Sequence, residues 1–156
     1  MAGSIDRVAE AARQAGIEIE ILRMGASTRT AAEAAAECGC TVGQIVKSLI
    51  FQGKTSGELY LFLLAGSSQL DLSKSAAAAG EELQRAEPRL IRDRTGFAIG
   101  GVSPIGHLVP IAAFADENLL GHERVWAAAG AHDAVFAAEP HDLVEAAKAR
   151  ICAIAA

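Results

Sequence analysis

The sequence predicts a mixed α+β domain: a strongly curved or partly barrel-like sheet of about six or seven strands flanked by helices. Three patterns carry that expectation. Apolar residues recur at helical spacing near both ends of the chain, and short runs rich in Val, Ile, Leu and Phe between them are bounded by Gly, Ser and Asp. A mid-chain stretch rich in alanine and glutamate breaks those runs and reads as helix. With 156 residues, 51% hydrophobic and 4 prolines, the chain is expected to form one domain over 1–156, with a core that needs no metal or disulfide staple.

Ile5, Val8, Ala9 and Ala12 share one helical face, with Ser4 placed to cap the helix and Gly16 to end it. "IEIEILR" alternates apolar and acidic residues with period two, which predicts a half-exposed strand. In "STRTAAEAAAECG", Thr30 and Glu33 stand at capping-box spacing and open a second helix. "VGQIVKSLIFQG" and "KTSGELYLFLLAG" then predict a hairpin of two buried strands around a glycine-containing turn. "SAAAAGEELQRAEPRLIRDRTG" reads as one or two short helices broken at Gly80 and before Pro88. "VPIAAFADENLL", "ERVWAAAG" and "DAVFAAE" are strand candidates, and Pro140 opens a last helix with Leu143, Ala147 and Ile151 on one face.

Composition excludes several function classes. Cys38, Cys40 and Cys152 are an odd set without CxxC spacing, and His107, His122, His132 and His141 are scattered, so no metal and no cofactor are expected. The cysteines read as reduced, structural or incidental thiols, and His107 and His122 as loop residues. No apolar run reaches the length that crosses a bilayer, and the charged opening "MAGSIDRVAEAARQ" is unlike a signal peptide, so a cytoplasmic protein with no membrane partner is expected. A net charge of −5 argues against DNA binding and limits any nucleic-acid contact to a small local one.

Two features carry chemistry. The stretch "GFAIGGVSPIGH" has no Walker A lysine, no GxGxxG spacing and no GxSxG elbow, which removes the common phosphate-loop and serine-hydrolase readings. What remains is a loop in which Gly100 and Gly101 free the backbone and Pro104 stiffens it, so the amides of Gly101, Val102 and Ser103 can converge on a carbonyl oxygen or oxyanion. The same glycines would equally serve a tight turn or bulge at a sheet edge. Lys47, in "GQIVKSLIF", is a cation set among apolar residues; strand alternation either points it to solvent or raises it from an apolar face to hold a phosphate or carboxylate.

At these two sites the sequence resembles the YbaK family of aminoacyl-tRNA editing domains, which includes free-standing trans-editing deacylases and the insertion domain of bacterial prolyl-tRNA synthetase. "GQIVKSLIF" carries the family's lysine as Lys47, and "TGFAIGGVSPIGH" carries its GxxxP motif as Gly100 to Pro104. "VPIAAFADENLL" and "VWAAAGAHDAVFAAEPHDLVEAAKARI" are similar to the family's later stretches, so the likeness runs from about Gly43 onward. The resemblance implies hydrolysis of the ester between a wrong amino acid and the terminal adenosine of a tRNA, without metal or protein nucleophile. Lys47 would hold the phosphate or sugar, the amides of Gly101, Val102 and Ser103 would hold the ester carbonyl, and a ribose hydroxyl would assist the attacking water. Ser48 would also reach the substrate.

The sequence departs from the family where many relatives have Thr-Pro-His after the glycine matched by Gly130; here the chain reads Ala131-His132-Asp133. Either His132 or Asp133 would then line the pocket. Arg89, Arg92 and Arg94 would make the remaining contacts to the tRNA acceptor end, or form a solvated basic helix end. The implied partners are a mischarged tRNA and an aminoacyl-tRNA synthetase. The competing reading is a non-catalytic module of the same fold that binds tRNA or a synthetase.

Overall fold

A computed structural model describes residues 3–25 and 30–156. It is an α+β fold with five α-helices and eight strands among the described residues, arranged in two open sheets rather than a closed barrel. The larger sheet has strand order β4-β2-β3-β5-β8, with β2 Val46–Gly53, β3 Leu59–Ala65, β4 Leu83–Arg85, β5 Ala112–Asp116 and β8 Ala149–Cys152. β2 pairs antiparallel with β3 and β4, while β3–β5 and β5–β8 are parallel. The smaller sheet is antiparallel, ordered β1-β7-β6, from β1 Ile21–Arg23, β6 Val125–Ala128 and β7 Ala134–Ala138. A single parallel bridge, Ile45 to Trp126, joins the two.

The hairpin register sorts the core. Val46, Ser48 and Ile50 of β2 stand opposite Ala65, Leu63 and Leu61, so these side chains share one face. That face packs into the main core with Phe136 of the smaller sheet and with Val8 of α1 (Ser4–Gln14). On the other face Phe62 stacks on Phe114 with ring centroids 5.4 Å apart, under Ile154. β3 is buried along almost its whole length, whereas β2 is mostly half-buried because it is open on one side. Asp116, buried at the end of β5, accepts from the amides of Asn118, Ile154 and Ala155, so the turn after β5 and the chain's end are tied to one carboxylate.

Several elements differ from the sequence reading for identifiable reasons. Gly3, not Ser4, is the N-cap of α1, because the Ser4 hydroxyl donates instead to the Gly130 carbonyl at 2.8 Å. The strand in "IEIEILR" is confined to β1, since β7 offers it only the partners Ala134 to Phe136. α2 (Ala31–Cys38) is capped by Thr30 as its spacing requires, with Gly39 left-handed at its end; Ser27, Thr28 and Arg29 lie outside the described residues. α3 (Leu72–Ala79) ends at Gly80 and α4 (Pro88–Thr95) opens on Pro88, but the residues between them form β4, a strand too short to announce itself. α5 (Pro140–Ala146) stops early, and Ile151 sits exposed on β8 rather than on a helix face.

Candidate functional site

A gap in the larger sheet opens the candidate site. The Gly53 amide donates to the Glu58 carbonyl at 2.9 Å, and the Ile45 carbonyl accepts from Gly66. Main-chain groups of alternate residues therefore face β3 at Lys47, Leu49 and Phe51, and face away from it at Ser48 and Ile50. On that outer side β4 pairs only with Phe51 to Gly53, and β6 bridges the edge at Ile45. Between these contacts lies a hollow of about 690 Å³, floored by β2, walled by Trp126 to Ala128 of β6 and covered by Ala31 and Ala34 of α2.

Lys47 and Ser48 both line this hollow. The Lys47 ammonium donates to the Ser68 carbonyl at 2.7 Å, which fixes the end of its long stem and leaves its other N–H groups uncommitted. The Ser48 hydroxyl is sealed from solvent and has no hydrogen-bond partner among the described residues. Such a group is costly to leave unpaired, but its seal keeps a ligand in the hollow from reaching it, so the Ser48 hydroxyl stays with the core face that it shares with Val46 and Ile50. No aspartate or glutamate is among the residues lining the hollow. Among the described lining residues the fixed charge is that of Lys47, with apolar walls around it, a setting suited to developing negative charge.

The glycine turn forms the opposite wall through Ile99, Gly100 and Val102. Gly100 has φ 93°, a left-handed conformation that lets the chain reverse beside His132. Of the three amides expected to converge, the Gly101 N–H is taken by the Ala98 carbonyl at 3.0 Å, and Ser103 has 0% exposure. The Val102 and Ser103 amides donate to no acceptor among the described residues, and of the two only Val102, itself 6% exposed, lines the hollow. Gly101 is a glycine for a packing reason, because a Cβ there would lie 2.9 Å from the Cα of Ala131. Ser103 and Pro104 are buried behind the turn, where the Ser103 hydroxyl accepts from the Ile105 amide at 3.2 Å.

His132 lines the hollow; Asp133 does not. Asp133 instead accepts from Arg23 at 2.7 Å, and that guanidinium holds its carboxyl below the usual range. Arg89 and Arg92 line a separate hollow of about 560 Å³ that shares Ile99, 61% exposed, with the first, while Arg94 turns toward Glu58 at 3.8 Å. His122 packs against Gly43. The three cysteines are half-buried free thiols away from the hollow, each pushed above its ordinary value by burial. Trp126 is the wall residue that composition gave no reason to select: the chain's one tryptophan faces the hollow from β6, with the Arg124 guanidinium 5.5 Å from its ring.

Comparison with known proteins places this geometry. The family model described as the aminoacyl-tRNA editing domain matches residues 26–146. An uncharacterized protein, YwhH of Bacillus subtilis, is 28% identical over 128 residues, covering 82% of this chain and 81% of that protein. The proline–tRNA ligase of Limosilactobacillus fermentum is 31% identical over 126 residues, which are 78% of this chain but only 22% of the ligase. Among solved structures, one presented as a candidate trans-editing enzyme for prolyl-tRNA synthetase superposes with a TM-score of 0.93 at 44% identity, covering 100% of this chain and 99% of that one.

Proposed function

Because the chain belongs to the aminoacyl-tRNA editing domain family, we propose that it is a deacylase that acts in trans on a mischarged tRNA, hydrolysing the ester between the amino acid and the terminal adenosine. One observation carries this reading: Lys47 and Ser48 on β2, Gly100 and Val102 on the glycine turn, and His132 surround a single hollow that holds no carboxylate. Lys47 anchors a phosphate or ribose oxygen of the terminal adenosine. The Val102 amide donates to the ester carbonyl. Water adds to the carbonyl carbon, the oxyanion of the tetrahedral intermediate is held by that donor, and the ester C–O bond breaks as the ribose oxygen takes a proton. A ribose hydroxyl of the substrate assists the water, so no protein base is required. An ester is reactive enough for positioning and charge stabilisation, worth about 3–4 kcal/mol per well-placed donor, to give useful rates.

The competing reading is a non-catalytic module of the same fold that binds tRNA or a synthetase, and its signature is saturable binding that survives the loss of Lys47. A panel of tRNAs misacylated with alanine, cysteine, serine or threonine separates the two. The deacylase reading expects amino-acid release that falls about 100-fold or more in Lys47→Ala. Saturable tRNA binding without release from any member of the panel would leave the binding module.

A further inference from the structure

His107 lies outside the pocket wall, yet it is wired to it. Its Nε2 sits 2.6 Å from the Ser103 carbonyl oxygen, which can only accept, so Nε2 carries the proton. The imidazole packs edge-on against Phe97, centroids 5.8 Å apart, and the other side of the arrangement is closed by Arg7 of α1, 5.2 Å from the Phe97 ring centre. Arg7 in turn donates to the Gly96 carbonyl at 2.7 Å, while its Nε is buried without a partner. Gly106 closes the stack, since a Cβ there would lie 3.1 Å from the Arg7 carbonyl oxygen. The glycine turn is thus held at both ends: by Gly101 N–H to Ala98 O before Val102, and by His107 to Ser103 O after it.

We propose that His107 is a positioning residue of the pocket, whose Nε2–H clamps the Ser103 carbonyl and so keeps the Val102 amide aimed at the substrate's ester. Ser103 has only two soft dihedrals; with its carbonyl held by His107, its hydroxyl by the Ile105 amide and Pro104 fixing the next φ, the Val102–Ser103 peptide has little freedom left, and the Gly101–Val102 peptide that carries the Val102 amide is bounded by it on one side and by the Gly101 N–H to Ala98 bond on the other. The clamp works in the neutral ring. Burial disfavours the imidazolium and holds His107 below its ordinary value, against the opposing pull of the Ser103 carbonyl. The charged group packed against the same aromatic stack is the Arg7 guanidinium, a like charge, and no carboxylate among the described residues stabilises the protonated ring. Protonation keeps Nε2–H as a donor, so acid acts on the turn only by placing a charge on a ring that its surroundings bury as neutral.

The inference rests on the deacylase reading for its catalytic consequence but has a readout of its own. Gln places an amide N–H where His Nε2–H stands and does not titrate, so His107→Gln retains the clamp while His107→Ala removes it. In the free protein, the Val102 and Ser103 amide resonances are expected to shift in His107→Ala and stay near their native positions in His107→Gln. Lowering the pH moves them in the native protein and not in His107→Gln. On a misacylated tRNA, His107→Ala is expected to lower kcat about tenfold with KM nearly unchanged, and His107→Gln to restore most of it. Unmoved amides in His107→Ala, or a His107→Gln protein as impaired as His107→Ala, would overturn the clamp. If the native protein cleaves no ester, the deacylase reading falls and the amide resonances alone decide the matter.

Discussion

The turn between β2 and β3 and the turn from Gly100 to Pro104 both gather main-chain donors, but they differ in what fills them. In the first, the Glu81 carboxylate accepts from the amides of Thr55 and Ser56, each at 2.9 Å, and from the hydroxyls of Ser56 and Tyr60, each at 2.6 Å. The Ser56 and Tyr60 hydroxyls, with the backbone amides, pull Glu81 from an ordinary 4.5 to about 2. In the second, no carboxylate approaches, and the Val102 amide is left without an acceptor beside a lysine and a partnerless serine. A turn that exists to hold the fold together supplies its own anion. One that leaves a donor idle beside a hollow has room for an acceptor from outside.

Crowding the open turn breaks this contrast most severely. In Gly101→Val the new Cβ meets Ala131 backbone at about 2.9 Å, and backbone cannot swing aside as a flexible side chain can. The turn must shift away from the wall formed by His132, and displacing a donor by about 1 Å costs on the order of 100-fold in rate. Deacylation kinetics are expected to show that loss, with a destabilisation of about 1–3 kcal/mol in denaturant titration from overpacking. A Gly101→Val enzyme as active as the native one would mean that the turn contributes no donor.

Emptying the filled turn has the opposite profile. Glu81→Gln is expected to lower the melting temperature at neutral pH while leaving deacylation unchanged, because the β2–β3 turn lies at the far end of β2 from Lys47. The sign of its pH dependence follows from a depressed carboxylate. The stabilisation is complete above the ordinary 4.5 and is lost as pH falls toward 2, so the native and Glu81→Gln melting curves converge across that window. His107 contributes a separate, higher limb: its folded value lies below 6.5, so stability declines as pH drops through 6.5, and His107→Gln removes that decline. Melting temperatures of both variants from pH 8 to 2 check the two limbs independently.

The contrast also shows what a sequence can carry. Lys47 among apolar neighbours, and glycines clustered around Pro104, marked both walls of the hollow, because a cation on a core strand and a run of backbone-freeing residues each violate a local expectation. The hairpin, α2 with its Thr30 cap and the helix stop at Gly80 were legible for the same local reason. What escaped depends on register and distance. β4 and β8 carry no pattern of their own and exist because β2 and β5 offer them an edge. The fates of the Gly101 and Ser103 amides turn on the Ala98 carbonyl and on burial, neither of which composition encodes. His107 was readable as a loop residue, but its bond to Ser103 and its stack with Phe97 and Arg7 unite a loop with α1 from the other end of the sequence.

The smallest expected effect comes from the pair that the sequence could not separate, His132 and Asp133. The β6–β7 turn presses Ala131 on Gly101 and sends successive side chains in different directions: His132 onto the hollow, Asp133 to Arg23 on β1. Asp133→Asn keeps the shape and weakens an ion pair that lies off the hollow, with an exposed arginine and a half-buried carboxylate, so kcat and KM for each misacylated tRNA are expected to stay within about twofold of native. His132→Ala instead enlarges the hollow, and if the amino-acid side chain sits against that wall the ratio of kcat/KM between small and larger amino acids is expected to change by about tenfold, the scale of one or two methylenes in a pocket. Measured as a two-by-two comparison of the variants on alanyl- and threonyl-tRNA, an Asp133→Asn protein with altered selectivity, beside an indifferent His132→Ala, would reverse the assignment and put a carboxylate into a hollow that has none among its described lining residues.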